Sequence, residues 1–354
     1  MPLVLEATMR VLVTGATGYI GGRLVPRLLE AGHAVRCFAR EPARLAGRFA
    51  GIELAGGDIF DRESLLRALE GIDVAFYLVH SMSNSRRDFA REDRVAAALF
   101  GEAARAAGVS RIVYLGGLGD AGNALSAHLR SRQEVGDVLR AGGVAVTEFR
   151  AAMIVGSGSA SFEMMRYLTD RLPLMIAPRW VRTRCQPIAV SDVLSYLTEE
   201  LAARRTGNAV FEIGGADVLT YEETMLRYAQ IRGLRRAIVV VPFFTPRLSS
   251  AWVHLVTPIP SSLARPLIDG LRNEVVVRDA AALTAFPHIE PLGYDVAVRR
   301  ALNRYASTGP ETTWFDAYDV RTLPGEFAGT TQGMLVDRRQ AHANAPAAAL
   351  FRVF

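Results

Sequence analysis

The stretch Arg10-Val11-Leu12-Val13-Thr14-Gly15-Ala16-Thr17-Gly18-Tyr19-Ile20-Gly21 decides how the rest of the chain is read. Its first half is rich in β-branched and apolar residues, the composition of a buried strand. The residues after it, Ile20–Ala31, repeat apolar side chains at helical spacing. Glycines 15, 18 and 21 fall on the turn between strand and helix. The first permits a tight turn, the second lets backbone approach a pyrophosphate, and the third lets the helix pack close to the strand. The helix N-terminus then points its N–H groups at the phosphates. The prediction is a dinucleotide site built from Gly15, Thr17, Gly18, Tyr19, Ile20 and Gly21.

Working outward, short strand patterns alternate with longer helical ones through residue 150. Strands are expected at Arg10–Thr14, Ala34–Phe38, Ile52–Ala55, Val74–Leu78, Arg111–Leu115 and Val144–Phe149, and helices at Ile20–Ala31, Arg62–Leu69, Asp88–Ala107 and Ala127–Arg140. Gly32, Gly108 and Gly142 stand where helices end in a left-handed residue. Such βαβ units, wound right-handed, give an α/β fold with a doubly wound parallel sheet of the Rossmann type. After residue 150 the alternation loosens into a strand at Arg184–Ile188, a helix from Ser191 to Ala203, then strand, helix and strand at Ala209–Ile213, Tyr221–Arg232 and Ala237–Val241. Val275–Val277 reads as a further strand and Tyr294–Tyr305 as a late helix. The expected organisation is a Rossmann domain over 9–156, a smaller substrate lobe over 157–308 interleaved with it, and from 309 to 354 the start of a C-terminal domain. The chain stops inside the apolar run Ala349–Phe354, which predicts that this last domain is cut short.

The second strand chooses between cofactors. Sites for NAD end that strand in an acid that holds the adenosine ribose. Here it reads Arg36-Cys37-Phe38-Ala39-Arg40, with no acid before Glu41. Arg40, helped by Arg36, can grip a 2′-phosphate through a charge-assisted fork, so NADP is favoured, with NAD as the other candidate. In an arginine-rich chain Arg40 also reads as a solvated surface charge. Gly57-Asp58-Ile59 follows the third strand: Asp58 either accepts from the adenine amino group, with Ile59 covering the ring, or is a turn aspartate. Leu78, Val79 and His80 close the fourth strand at the carboxyl edge, where ligands of such sheets bind.

The Thr14–Gly21 motif, Gly57-Asp58 and the order of elements resemble the short-chain dehydrogenase/reductase superfamily in its extended or atypical branch. More closely, the chain resembles NAD(P)-binding proteins with an NmrA-like fold, a group related to the nucleotide-binding accessory subunit of respiratory complex I. The stretches Tyr77-Leu-Val-His-Ser-Met82, Tyr114-Leu-Gly-Gly-Leu118 and Gln186-Pro-Ile-Ala-Val-Ser-Asp192 carry that likeness, over about the first 300 residues. The tail from Trp314 is similar to the beginning of an uncharacterised domain fused behind such proteins and related to ligand-binding helix-grip folds. The resemblance implies a serine after the fifth strand and a Tyr-x-x-x-Lys on the next helix. This sequence departs from both: the strand ends Leu115-Gly116-Gly117, and the helix offers His128-Leu-Arg-Ser-Arg132. His128 and Arg132 share one helix face. An imidazole titrating near neutrality can replace the phenol as proton donor, and Arg132 can hold ribose hydroxyls without carrying a proton. His128 also reads as an ordinary surface or capping histidine. Ser126 and Ser131 are the nearby hydroxyls, Arg150 and the Ile154–Ser159 loop resemble the stretch under the nicotinamide, and Asp192 reads as a structural cap.

Composition narrows the function classes. Half the residues are hydrophobic and 22% charged, ordinary for a globular chain. The net charge of +5, without a basic cluster interleaved with aromatics, argues against a nucleic-acid partner. Cys37 and Cys185 make no disulfide framework and are expected to be reduced core residues, which with the lack of a signal peptide points to the cytoplasm. The six histidines are scattered, so no metal is expected. The most apolar stretch, Ile238–Pro260, is interrupted by Pro242, Pro246, Arg247, His254 and Pro258 and should not span a bilayer. It reads as a buried substrate-side segment or as a hydrophobic surface that touches something; separately, peripheral membrane contact of the protein stays open. Methionines and aromatics in 161–180 read either as the lining of an apolar pocket or as core. Superfamily analogy adds a homodimer through the Asp88–Ala107 and Ala127–Arg140 helices. Two functions stay open: an NADP(H)-dependent oxidoreductase on a bulky apolar carbonyl or quinone-like molecule, and a non-catalytic NADP(H) sensor or assembly protein acting through partners.

Overall fold

A computed structural model of the chain describes residues 8–79, 89–119, 125–203, 205–241, 267–307, 309–313, 316, 329–331 and 334–336. Its contacts divide the chain into two units, 1–317 and 318–354. The first unit is built on a seven-stranded parallel sheet. In chain order it contains β1 (Arg10–Thr14), α1 (Gly21–Glu30), β2 (Ala34–Ala39), β3 (Glu53–Gly56), α2 (Arg62–Leu69), β4 (Val74–Tyr77), α3 (Phe89–Ala106), β5 (Arg111–Gly117), α4 (Ala127–Ala141) and β6 (Ala145–Ala151). The lobe adds β7 (Ile154–Val155), α5 (Ala160–Arg171), β8 (Leu174–Pro178), β9 (Arg184–Cys185), β10 (Ile188–Ala189), α6 (Val190–Glu199) and β11 (Ala209–Ile213). It continues with β12 (Leu219–Thr220), α7 (Tyr221–Ile231), β13 (Ala237–Val241), α8 (Ala281–Ala285) and α9 (Tyr294–Ser307). In the second unit β14 (Gly329–Thr331) pairs antiparallel with β15 (Met334–Val336).

The sheet order β11-β6-β5-β4-β1-β2-β3 reverses direction between β1 and β4, and the fold is therefore doubly wound. At that reversal the carboxyl ends of β1 and β4 splay and leave the crevice in which such sheets bind ligands. Alternation of side chains along the strands builds a core on each face. Val11 and Val13 pack with Leu24, Val25 and Leu28 of α1 and Val193 and Leu197 of α6. Leu12 faces the other way, among Leu65 and Leu69 of α2, Phe100 of α3 and Leu139 of α4. Cys37 lies in the first of these layers, and both cysteines are free and fully buried. β11 belongs to the lobe by sequence but pairs with β6 in the central sheet, Ala209 opposite Thr147 through Ile213 opposite Ala151.

The lobe holds a separate core. Phe162 and Met165 of α5, Met175, Tyr228 of α7 and Tyr294 and Val298 of α9 pack with Leu118 and Leu129. Met164, Met165 and Phe162 are buried, so the methionine-rich stretch serves as packing. The strand expected at Arg184–Ile188 is broken into β9 and β10, which take different partners, and Val275 contributes a single bridge to Cys185 in place of a strand. Gly32 and Gly108 adopt positive φ as expected (84° and 74°), whereas α4 runs on through Ala141 with Gly142 still right-handed, and Gly143 takes the left-handed turn (φ 85°).

Candidate dinucleotide site

The glycine turn follows from β1 and β4 being neighbours. Gly15 has φ 70°, and a Cβ there would sit 2.6 Å from the carbonyl oxygen of Leu78 at the end of β4. A Cβ on Gly21 would sit 2.3 Å from the oxygen of Gly15. Gly18 N–H closes the turn on Gly15 O at 2.9 Å. Thr14 ties the two strand ends together: its buried hydroxyl donates to Phe76 O (2.9 Å) and accepts from Leu78 N (3.0 Å). Leu78 and Val79 are half-buried beside the turn, and His80 lies outside the described residues.

The turn suits a pyrophosphate. No side chain caps α1, and its first turn contains no acid. Among the described residues the N–H groups of Ile20 and Gly21 meet no acceptor. Unsatisfied N–H groups and the positive end of the helix dipole are the chemistry an anionic bridge needs. The Tyr19 hydroxyl is buried with no hydrogen-bond partner among the described residues, and its pKa is raised by burial, against the pull of Arg23, whose guanidinium carbon lies 4.6 Å from the ring centre.

Arg23, which the sequence presents as an ordinary helix arginine, is buried and staples three segments. Nε donates to Thr312 Oγ1 (2.7 Å), and Nη2 donates to Ser157 O (2.7 Å) and Thr312 O (3.3 Å). Thr312 Oγ1 in turn donates to Tyr19 O at 2.8 Å. The segment after α9 thus fastens the glycine turn to the Gly156–Gly158 loop. Nothing local announces this, since Arg23 and Thr312 stand 289 residues apart.

At the carboxyl end of β2 the two arginines separate. Arg36 is a correction to the expected phosphate grip. It is buried, donates Nη1 to Ala68 O and Glu70 O (2.7 and 2.8 Å), and pairs Nη2 with Glu53 at 2.8 Å. Its position within β2 turns the side chain onto the end of α2, so its fork is occupied. Arg40 stands just past β2, exposed, with no partner among the described residues. Asp58 is exposed and accepts Phe60 N–H through Oδ1 at 2.9 Å, the turn bond; Ile59 is half-buried at the edge of the α2–α3 layer.

Beyond the carboxyl end of β5, α4 starts with Ser126, whose hydroxyl accepts Leu129 N–H at 3.3 Å. His128, Arg132 and Gly136 follow at intervals of four and share a face. A Cβ on Gly117, at the end of β5, would meet Leu129 Cδ2 at 3.0 Å and Arg132 Cβ at 3.7 Å. Arg132 Nη2 donates to Leu115 O, and its guanidinium carbon lies 5.2 Å from the Tyr114 ring centre. Beneath this face the fully buried Glu148 of β6 is held by Arg140 and by Arg150 Nε (2.7 Å). Gly136 leaves it room, for a Cβ there would be 2.3 Å from Glu148 Oε2.

Near-neutral titration of His128 is a second correction. Burial first, and the Arg132 charge second, push its pKa from 6.5 down to about 4, so the imidazole is neutral at pH 7. Ser126 is spent as the cap, and Ser131 is buried with its hydroxyl on Asp93 of α3 (3.3 Å); neither supplies the missing hydroxyl. Arg150 is committed to Glu148, and Asp192 braces rather than caps, accepting from Ser191 Oγ (2.9 Å) and Leu292 N (2.8 Å). Among the described residues no group of side chains could hold a metal ion, and no helix is long and apolar enough to cross a membrane.

Comparison with known proteins matches residues 15–155 to the family described as NAD(P)H-binding. These residues form an NAD(P)H-binding domain. A (4-alkanoyl-5-oxo-2,5-dihydrofuran-3-yl)methyl phosphate reductase of Streptomyces griseus is 42% identical over 105 residues, 30% of this chain and 33% of that protein. A ceramide reductase of Caulobacter vibrioides is 26% identical over 235 residues, 66% of this chain and 73% of that protein. The chain spans about a third of the length of the curated relatives it matches at 36–42% identity. An NADPH-dependent quinone oxidoreductase of Escherichia coli, solved with NADPH, superposes with a TM-score of 0.66 at 19% identity, covering 83% of this chain and all of that one. The matched residues therefore make an NAD(P)-binding domain with a Rossmann-like sheet, and reductases are among the relatives of the chain.

Proposed function

We propose that the chain is an NADP(H)-dependent oxidoreductase of the cytoplasm, acting on a bulky apolar carbonyl or quinone-like compound. The carrying observation is Arg40: an exposed, uncommitted guanidinium at the end of β2, where an acid would select NAD. In this reading residues 9–156 bind the dinucleotide and 157–308 the substrate. Gly15, Thr17, Gly18, Tyr19, Ile20 and Gly21 hold the pyrophosphate, Arg40 the 2′-phosphate, and Asp58, Ile59, Leu78 and Val79 flank the adenosine. Bound NADPH supplies hydride. Arg132 orients the ribose, and the neutral His128 accepts or relays a proton by hydrogen bond. A reduced lipid in one relative and a quinone in one structural neighbour support the apolar substrate class. A homodimer through α3 and α4 belongs to the same proposal, with Val95 exposed on α3.

A second reading has its own observation. Gly117 brings no hydroxyl, and an imidazole with a pKa of about 4 is a poor acid at neutral pH. A binding-only protein, sensing NADP(H) or acting on partners, would look the same. Titration of NADPH and NADH by fluorescence of the reduced ring tests the first claim. Arg40→Ala should weaken NADPH by about tenfold and leave NADH unchanged, the exposed share of a charge-assisted contact. Equal effects on both cofactors would remove the 2′-phosphate assignment. NADPH oxidation with quinones and long-chain carbonyls, wild type against His128→Ala, separates enzyme from sensor.

A further inference from the structure

The lobe carries a surface that the dinucleotide site does not use. β8 and β13 form a two-stranded parallel ribbon, with Leu174 opposite Ala237, Ile176 opposite Val239 and Pro178 opposite Val241. Its outer face is apolar where that of a soluble ribbon is polar: the inward residues Met175 and Ala177 are buried, while outward-facing Leu174, Ile176 and Val239 are 54%, 50% and 47% exposed. Three large aliphatic side chains on adjoining strands make a contiguous apolar face, which water penalises.

The charge that the two strands and their flanks bring to that face has one sign, with Asp170, Glu222 and Glu274 as the acids beside it. Residues 171–184 and 232–241, the strands and their flanks, contain Arg171, Arg179, Arg182, Arg184, Arg232, Arg235 and Arg236 and no acid. Arg171, Arg235 and Arg236 stand at the amino ends of the strands, Arg179 and Arg182 beyond the carboxyl end of β8. Some are engaged: Arg232 approaches Asp170 at 3.5 Å and Arg182 approaches Glu222 at 3.4 Å. Arg236 donates only to carbonyl oxygens, of Thr169, Asp170 and Arg235, so its charge is not neutralised. Arg179 and Arg235 are exposed, with no side-chain partner among the described residues.

We propose that the β8–β13 ribbon and its arginines dock the protein onto an anionic lipid surface, the aliphatic side chains entering the headgroup boundary and the guanidinium groups meeting lipid phosphates. An apolar strip bordered by cations is what such a surface selects. A second copy of the chain fits poorly, because a twofold interface through this ribbon would bring the same arginines face to face. The inference stands apart from the hydride chemistry.

Co-sedimentation of the full chain with phosphatidylcholine vesicles, with and without phosphatidylglycerol, tests it. Binding should require the anionic lipid and weaken as salt is raised. Arg179→Glu with Arg235→Glu should lower the partition coefficient by roughly twentyfold or more, about fivefold for each lost cation. Leu174→Ser with Ile176→Ser should release the protein while leaving NADPH affinity and the thermal midpoint unchanged, which shows that the variant is folded. Equal binding to neutral and anionic vesicles, no binding to either, or retention by both variants overturns the proposal. So does a dimer in light scattering that Leu174→Ser with Ile176→Ser dissociates without wild-type vesicle binding.

Discussion

His128 gives the sharpest test of the proposed site, because its titration decides what kind of group α4 offers there. In the unfolded chain the imidazole titrates near 6.5; in the folded one, burial and then the Arg132 charge push it to about 4. Between those values the unfolded state binds a proton that the folded state refuses, so stability falls as pH drops through 6.5 toward 4. The full displacement corresponds to about 3 kcal/mol, and about 2 kcal/mol of that is already lost at pH 5. His128 is half-buried in the side-chain surface, so solvent screening reduces the expected loss at pH 5 to about 1 kcal/mol. The assay is urea unfolding at pH 7.5 and 5.0 for wild type and His128→Gln. The glutamine keeps a polar side chain of similar size and cannot titrate, so the difference between the two proteins isolates this one group from the other five histidines.

Wild type should lose about 1 kcal/mol more than His128→Gln over that interval, and the His128 imidazole resonance should hold still between pH 8 and 5. A resonance that titrates near 6.5, together with identical pH dependence in the two proteins, would refute the reasoning about desolvation. It would also restore the imidazolium as a proton donor, and the rate of any NADPH oxidation would then rise as pH falls through 6.5.

Two other expectations follow from close approaches. Gly15→Ala forces an L-residue to φ 70° with its Cβ 2.6 Å from Leu78 O, so it should cost about 2 kcal/mol or more and weaken NADPH binding; wild-type unfolding and affinity would sink the close-approach argument. Thr312→Val strips the buried Arg23 Nε and Tyr19 O of their shared partner and should destabilise by about 2 kcal/mol, with Thr312→Ser restoring stability and NADPH affinity. If valine and serine behave alike in calorimetry, the staple is packing alone.

The central sheet was legible because each strand carries its own punctuation. Arg62–Leu69 and Ala209–Ile213 have the predicted bounds, the first opened by Asp61, which accepts Glu63 N–H at 3.0 Å. A buried parallel strand needs only a short apolar run, and a helix in such a fold needs only its cap and stripe. The lobe was harder to read because its strands, β11 apart, are two to five residues long and pair in twos. Gln186 and Pro187 interrupt what reads as one strand at Arg184–Ile188. Gln186 then bonds across to Gly215 O (2.7 Å) and Val277 N (3.0 Å), so the chain changes partners at that point. Contacts at such sequence separations leave no periodicity to detect.

The site divides along the same physical line. Glycine spacing is local, and backbone geometry alone makes it necessary, so the turn could be found from Gly15, Gly18 and Gly21. Side-chain direction is not local. Arg36 and Arg40 look equivalent in sequence, yet strand pleat sends Arg36 to the carbonyls that end α2, and only the residue beyond the strand keeps its charge free. Glu148 could have been found by one rule, that a carboxylate in a central strand must have a buried cation. Arg140, eight residues before it, and Arg150, two after it, are the pair. That cluster also gives a physical setting for the absence of the serine and tyrosine that the resemblance implies. With Gly116, Gly117 and Gly136 making room for Leu129, Arg132 and the Glu148 carboxylate, the space under α4 is occupied by an ion network. Restoring a side chain at Gly117 alone would crowd Leu129, whose Cδ2 would stand 3.0 Å from the new Cβ, so the proposed chemistry assigns its roles to His128 and Arg132 instead.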